Sequence, residues 1–134
     1  MRNVLLAAAV CLATPSAAAD FIEGVYLQTE ELCAQAKSDS LQTVIEAGNV
    51  MLTERGLESI EYNCEFVRIV KATRAPAWFV DAICQEPGHL FPDVLSVTQM
   101  NDAQIDIVSV RADDPEAGGG NGGSYFLCDG VATP

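Results

Sequence analysis

Histidine and positive charge are nearly missing from this chain. One histidine, His89, and seven lysines and arginines stand beside nineteen aspartates and glutamates, for a formal net charge of −12. That balance excludes nucleic acid and anionic membranes as partners, because holding phosphates requires Lys and Arg to displace counterions. A single imidazole also leaves little for hydrolytic chemistry. A Ser-His-Asp or Cys-His site would have to use His89, which sits in the stretch Pro87-Gly88-His89-Leu90-Phe91-Pro92-Asp93. Neither Gly-x-Ser-x-Gly nor His-Glu-x-x-His occurs. With so many acids, close carboxylate pairs arise without function, so no glycosidase pair is inferred from them. No catalytic residue, metal or cofactor is expected.

Long apolar runs are also missing, with one exception at the start. Arg2 precedes the uncharged run Val4 to Ala13, and Thr14-Pro15-Ser16-Ala17-Ala18-Ala19 ends in small residues. This is the pattern of a secretory signal, with cleavage expected before Asp20. The run is about half the roughly 20 residues a spanning helix needs, so no membrane anchor is expected after processing. Cys11 follows Val10, where a lipid-attachment motif wants a small residue, so acylation is not expected. Residues 20–134 then form one β domain, periplasmic or secreted, and loss of Arg2 takes its charge to −13.

Four cysteines remain, Cys33, Cys64, Cys84 and Cys128, separated by 31, 20 and 44 residues. Zinc sites use close Cys or His pairs, and none is present. An even number in an exported chain reads as two disulfides with three possible connectivities.

Elsewhere the pattern is period-2 alternation cut by turn residues, the signature of β-strands. Strands are expected at Phe21–Leu27, Leu41–Ala47, Val50–Glu54, Ile60–Val70, Ala77–Gln85, Val94–Met100, Ala103–Arg111 and Ser124–Cys128. Gly48-Asn49 and Asn101-Asp102 are read as two-residue hairpin turns. Pro87 to Asp93 reads as a loop, since prolines cannot donate to a ladder. Thr29 to Ala36 predicts one short helical turn, capped by Thr29 and favoured by Glu30 and Glu31 at its positive end. The expected fold is all-β: a small antiparallel meander or barrel of about eight strands with two disulfides.

The stretch IEYNCEF, residues 60–66, places Cys64 in an apolar stripe. If Ile60–Val70 and Ala77–Gln85 form a hairpin centred near Arg74, facing positions sum to 148, and Cys64 meets Cys84. Facing Cβ atoms in an antiparallel pair lie roughly 4.5–5.5 Å apart, close enough for a bridge after modest twisting. Cys33 is left for Cys128. The same register puts Tyr62, Phe66, Val70, Trp78 and Val80 inside, and Val67, Ile69, Phe79 and Ile83 outside. Arg68 falls on the inner face unless a bulge displaces it, and Asp81 falls opposite Val67 without a partner.

An outward apolar cluster of Val67, Ile69, Phe79 and Ile83, with Arg74 at its border, is the expected surface for a protein partner. The function expected is a non-catalytic binding module, such as an inhibitor of a host or envelope enzyme. The alternative is a lipocalin-like carrier of a small apolar ligand lined by Tyr62, Phe66, Trp78 and Phe126. Asp113, Asp114, Glu116 and Asn121 offer hard oxygens for calcium, but their spacing is not that of an EF-hand, and a solvated connection is the expected reading.

The layout Phe21…Gly24-Val25-Tyr26…Cys33, Tyr62-Asn63-Cys64-Glu65-Phe66, Ala82-Ile83-Cys84 and Tyr125-Phe126-Leu127-Cys128 resembles small exported bacterial four-cysteine β proteins of uncharacterised function. In size and leader the chain is also similar to periplasmic β-barrel inhibitors of lysozymes and metalloproteases. No contact motif of those inhibitors matches residue by residue, so the resemblance implies a fold and assigns no functional residue.

Overall fold

The computed structural model describes residues 20–113 and 120–134. The expected leader, residues 1–19, and most of the glycine-rich connection lie outside the described residues. Within them the chain runs β1 (Tyr26–Leu27), α1 (Glu30–Ser38), α2 (Leu41–Glu46), β2 (Met51–Thr53), β3 (Gly56–Glu58), β4 (Asn63–Lys71), β5 (Ala77–Glu86), β6 (His89–Asn101), β7 (Gln104–Ser109) and β8 (Gly123–Leu127). The strands pair antiparallel in sequence order, and β8 returns to pair with β1, closing the barrel.

Two disulfides hold it, Cys33–Cys128 and Cys64–Cys84. Cys64 faces Cys84 in the β4–β5 ladder, as the hairpin register predicts. Gly56 shows why the β3–β4 neighbourhood needs glycine. Its φ is +148°, and a Cβ there would lie 1.8 Å from the Cys64 carbonyl oxygen.

Two apolar cores lie on either side of the sheet. The inner one fills the barrel with Leu52, Leu57, Trp78, Val80, Leu95, Val97, Ile105, Ile107 and Tyr125 around the Cys64–Cys84 bridge. The outer one lies under the helices, where Cys33, Ala36 and Val44 pack on Val25, Leu27, Met51 and Cys128. Strands β1 and β2 are therefore buried on both faces, and all five of their residues are inaccessible. The Thr29 hydroxyl caps α1 by accepting from Leu32 N at 3.2 Å, and the Ser40 hydroxyl caps α2 by accepting from Thr43 N at 3.1 Å.

Several local expectations are corrected. Leu41–Ala47 is not a strand: Leu41, Val44 and Ile45 line one side of helix α2, and Gly48-Asn49 leads out of that helix instead of turning a hairpin. The first strand is only Tyr26–Leu27. Ile60 is exposed in the β3–β4 connection. Pro87 to Asp93 is not a loop throughout, because β6 begins at His89 and Pro92 faces Ile83 in register. Proline is tolerated there because β7 first pairs at Leu95, so one side of the Pro92 backbone has no strand to donate to.

The largest correction is a β-bulge between Phe66 and Arg68. Up to Phe66 the facing positions sum to 148; from Arg68, which faces Asp81, they sum to 149. One extra residue inverts every later side chain. Ile69 turns inward against the core and Val70 turns outward, the reverse of the unbulged register. Asp81 gains a partner, with Arg68 Nε donating to its Oδ2 at 2.6 Å.

Candidate functional site

Past the bulge, the outer side of β4 to β7 carries an apolar row. Val70 faces Phe79, Phe79 faces Ser96, and Ser96 faces Val108 across consecutive ladders. Val70, Phe79 and Val108 are 48%, 51% and 61% exposed. Val67 at the bulge and Ile83 extend the patch along β4 and β5. The Arg68–Asp81 ion pair crosses this face. The opposite outer side of the barrel has both helices over it; β4 to β7 carry no helix among the described residues.

Of the five residues expected at a partner surface, Val67, Phe79 and Ile83 are on this face. Arg74 is exposed in the β4–β5 connection and, among the described residues, forms no ion pair. Ile69 is inside the barrel, and Val70 takes its place outside. Lys71 is directed toward the N-terminal segment, where its Nζ lies 2.9 Å from Asp20 Oδ2 and 5.9 Å from the centre of the Trp78 ring.

That segment closes one barrel mouth. Phe21 meets Phe66 and Trp78 edge-on at 6.0 and 5.3 Å, and Trp78 Nε1 donates to the Asp20 carbonyl at 2.8 Å. The four residues of the carrier reading are thereby divided. Phe66 and Trp78 pack at this mouth and Tyr62 lies at the other, while Phe126 faces Leu27, whose side chain lies under the helices.

The second mouth holds a cleft of about 400 Å³ where the chain ends of β1, β2, β4, β5, β6, β7 and β8 converge. At its base is a buried polar network that periodicity alone does not reveal. Asp93, 2% exposed, accepts at both carboxylate oxygens from the Ser109 hydroxyl (2.7 and 2.8 Å), from Val94 N (2.8 Å) and from Asn121 Nδ2 (2.7 Å). Asn121 Oδ1 in turn accepts from the Tyr62 hydroxyl, and Asn121 Nδ2 lies 3.3 Å from Cys84 Sγ. A carboxylate with this many donors is satisfied, and the network fixes the mouth to the inner disulfide.

The sequence signal for this network was polar residues at inward positions. Asp93 continues the inward row of Leu95 and Val97, and Ser109 continues that of Ile105 and Ile107. Burial and, secondarily, the neighbouring Tyr62 push the Tyr125 phenol up to about 12. Burial raises Tyr62 as well; its bond to Asn121 opposes the shift, and Asp93 and Glu86 add to it. His89 stacks on Phe91 at 5.2 Å, and the Arg111 guanidinium lies 4.5 Å from the Phe91 ring centre.

Chemically, the cleft offers hydrogen bonds and ring surface. Among the described residues no three His, Cys, Asp or Glu side chains converge as a metal site. Of the residues considered for calcium, Asp114 and Glu116 lie outside the described residues, and Asn121 is engaged with Tyr62 and Asp93. No helix among the described residues is long and apolar enough to cross a membrane. No protein-family model matches the chain, and no curated protein or solved structure is significantly similar to it.

Proposed function

We propose that this chain is an exported, non-catalytic binding module that holds a protein partner against the outer side of β4 to β7, as an inhibitor of an envelope or host enzyme would. The observation that carries the reading is the contrast between the two outer sides. One has apolar residues beneath the chain's own helices, and the other leaves Val67, Val70, Phe79, Ile83 and Val108 in water. Half-exposed side chains of this size still have about 1 kcal/mol each to gain from burial. Arg74 at the border supplies orientation toward an acidic rim on the partner. Export is supported by the two disulfides, which form and persist in oxidising compartments.

Substituting Val70→Ser together with Phe79→Ser tests the reading. A partner captured by cross-linking in an extract of the source compartment, then purified, should bind the variant at least about tenfold more weakly, or 1.4 kcal/mol. The unfolding free energy should stay within about 0.5 kcal/mol of the parent, since both side chains already face solvent. Equal affinity for parent and variant removes this face from consideration.

A further inference from the structure

The cleft at the second mouth contains a feature the protein-binding face does not explain. Tyr125 is 2% exposed as a residue and lines the cleft; its hydroxyl has no hydrogen-bond partner among the described residues and, since none of their buried side-chain N or O atoms is left unpaired, it opens onto the cleft. Buried tyrosines normally find a partner for the O–H. Beside it, Tyr62 gives its proton to Asn121 and so presents lone pairs. The Gln28 amide oxygen accepts from Val50 N at 3.5 Å, which leaves its NH₂ group as a donor. Glu86 adds an exposed carboxylate.

The cleft therefore mixes donors (Tyr125, Gln28) with acceptors (Tyr62, Glu86) at close quarters. A hydroxyl is the ligand group that serves both, since it donates once and accepts twice. An anion could reach Arg111 and His89 in the lining, but it would also meet Glu86 there, with the Asp93 carboxylate behind Asn121 and a net charge of −12 on the chain. A purely apolar ligand would leave the Tyr125 O–H, the Gln28 amide and Glu86 desolvated without partners.

We propose that this cleft binds a neutral polyhydroxylated ligand, a sugar of one or two rings, with the Tyr125 hydroxyl as the donor at its floor. Its volume of about 400 Å³ and its place at the mouth of a barrel suit a ligand of that size. The floor is preorganised, because Asn121 is committed at both ends of its amide and cannot swing to another partner. With its proton held up to about pH 12, Tyr125 remains a donor through the physiological range.

The test is a titration of the isotope-labelled full domain, followed by amide NMR, with glucose, N-acetylglucosamine and maltose. Inorganic phosphate and cyclohexanol serve as the anionic and single-hydroxyl comparisons. At least one sugar should give saturable shifts at Val50, Asn121 and Gly122, weakened tenfold or more in Tyr125→Phe. Gln28→Leu, at an exposed position, should weaken the same sugar and provides a second variant should Tyr125→Phe perturb the fold. Absence of saturation with all three sugars overturns the proposal. So does tighter binding of phosphate or cyclohexanol, or a sugar affinity that neither substitution changes.

Discussion

Removing each disulfide in turn separates chain-entropy from packing. Both bridges are nearly inaccessible: Cys33 is 7% exposed, Cys64 and Cys128 1%, and Cys84 0%. Replacing either pair with alanine therefore deletes two buried sulfurs and leaves comparable voids, so those costs cancel in the comparison. The loops differ. Cys33–Cys128 spans 95 residues, and Cys64–Cys84 spans 20 within them. In the unfolded chain the inner bridge short-circuits its own segment, so cutting the outer one frees an effective loop of about 75 residues, worth roughly 4.5 kcal/mol. Cutting the inner bridge frees fewer than 20, worth about 3 kcal/mol. Cys33→Ala/Cys128→Ala should thus be the less stable variant by about 1.4 kcal/mol. It should also show the larger rise in urea m-value, because its unfolded state expands more. Fluorescence of Trp78, the only tryptophan and a buried one, follows the transition. If Cys64→Ala/Cys84→Ala proves the weaker protein, local packing around the inner bridge outweighs loop closure and the reasoning fails.

The bulge makes its own forecast: Ile69→Ala should cost about 2 kcal/mol and Val70→Ala under about 0.5 kcal/mol in the same assay, and the reverse order would place the bulge beyond Ile69. The tyrosines predict an alkaline limit. Tyr125 titrates near 10 when unfolded and at about 12 when folded, so the folded state keeps a proton that the unfolded chain releases. Stability is fully present below pH 10 and falls as pH rises toward 12, by on the order of 2–3 kcal/mol from this residue. Phenolate absorbance of the folded protein should be delayed for all three tyrosines, since Tyr26 and Tyr62 are raised too, and Tyr125→Phe should remove the latest phase. A latest phase that survives in Tyr125→Phe would assign the high value to another residue.

Alternation made most of the barrel readable because a strand with one buried face must repeat every two residues. It brought Cys64 opposite Cys84 and left Cys33 for Cys128, a pairing the structure shows. It failed where a different period was hidden by composition. Thr43, Val44 and Ile45 are β-branched and favour strands, yet Leu41, Val44 and Ile45 follow helical spacing and pack from α2 into the outer core. The bulge left a trace only in Arg68, a cation out of place on an otherwise apolar side; that single discord decides which of Ile69 and Val70 faces solvent. The Asp93–Ser109–Asn121 network joins residues from three distant segments, and no local pattern connects them. The sequence reading places Asp93 in a Pro87–Asp93 loop and Asn121 in a solvated connection, so the inward rows that Asp93 and Ser109 continue emerge only once the strands are extended as the structure has them.

Strict sequential order gives the barrel a seam. Every pairing but one joins neighbours along the chain; only β1 with β8 unites the two ends. That pairing closes the longest loop, so its entropic cost is the largest and it should form late in folding. The Cys33–Cys128 bridge straddles it, with Cys33 on the helix that packs over β1 and Cys128 directly after β8. Reduction therefore does more than loosen the molecule. An opened seam presents Val25–Leu27 on one side and Tyr125–Leu127 on the other as unpaired, apolar strand edges, the kind that add to edges of other chains. The bridge acts as a clasp against self-association, and light scattering should rise with reduction of this pair. A chain stranded in a reducing compartment would accumulate as assemblies of open sheets, with solubility lost before secondary structure.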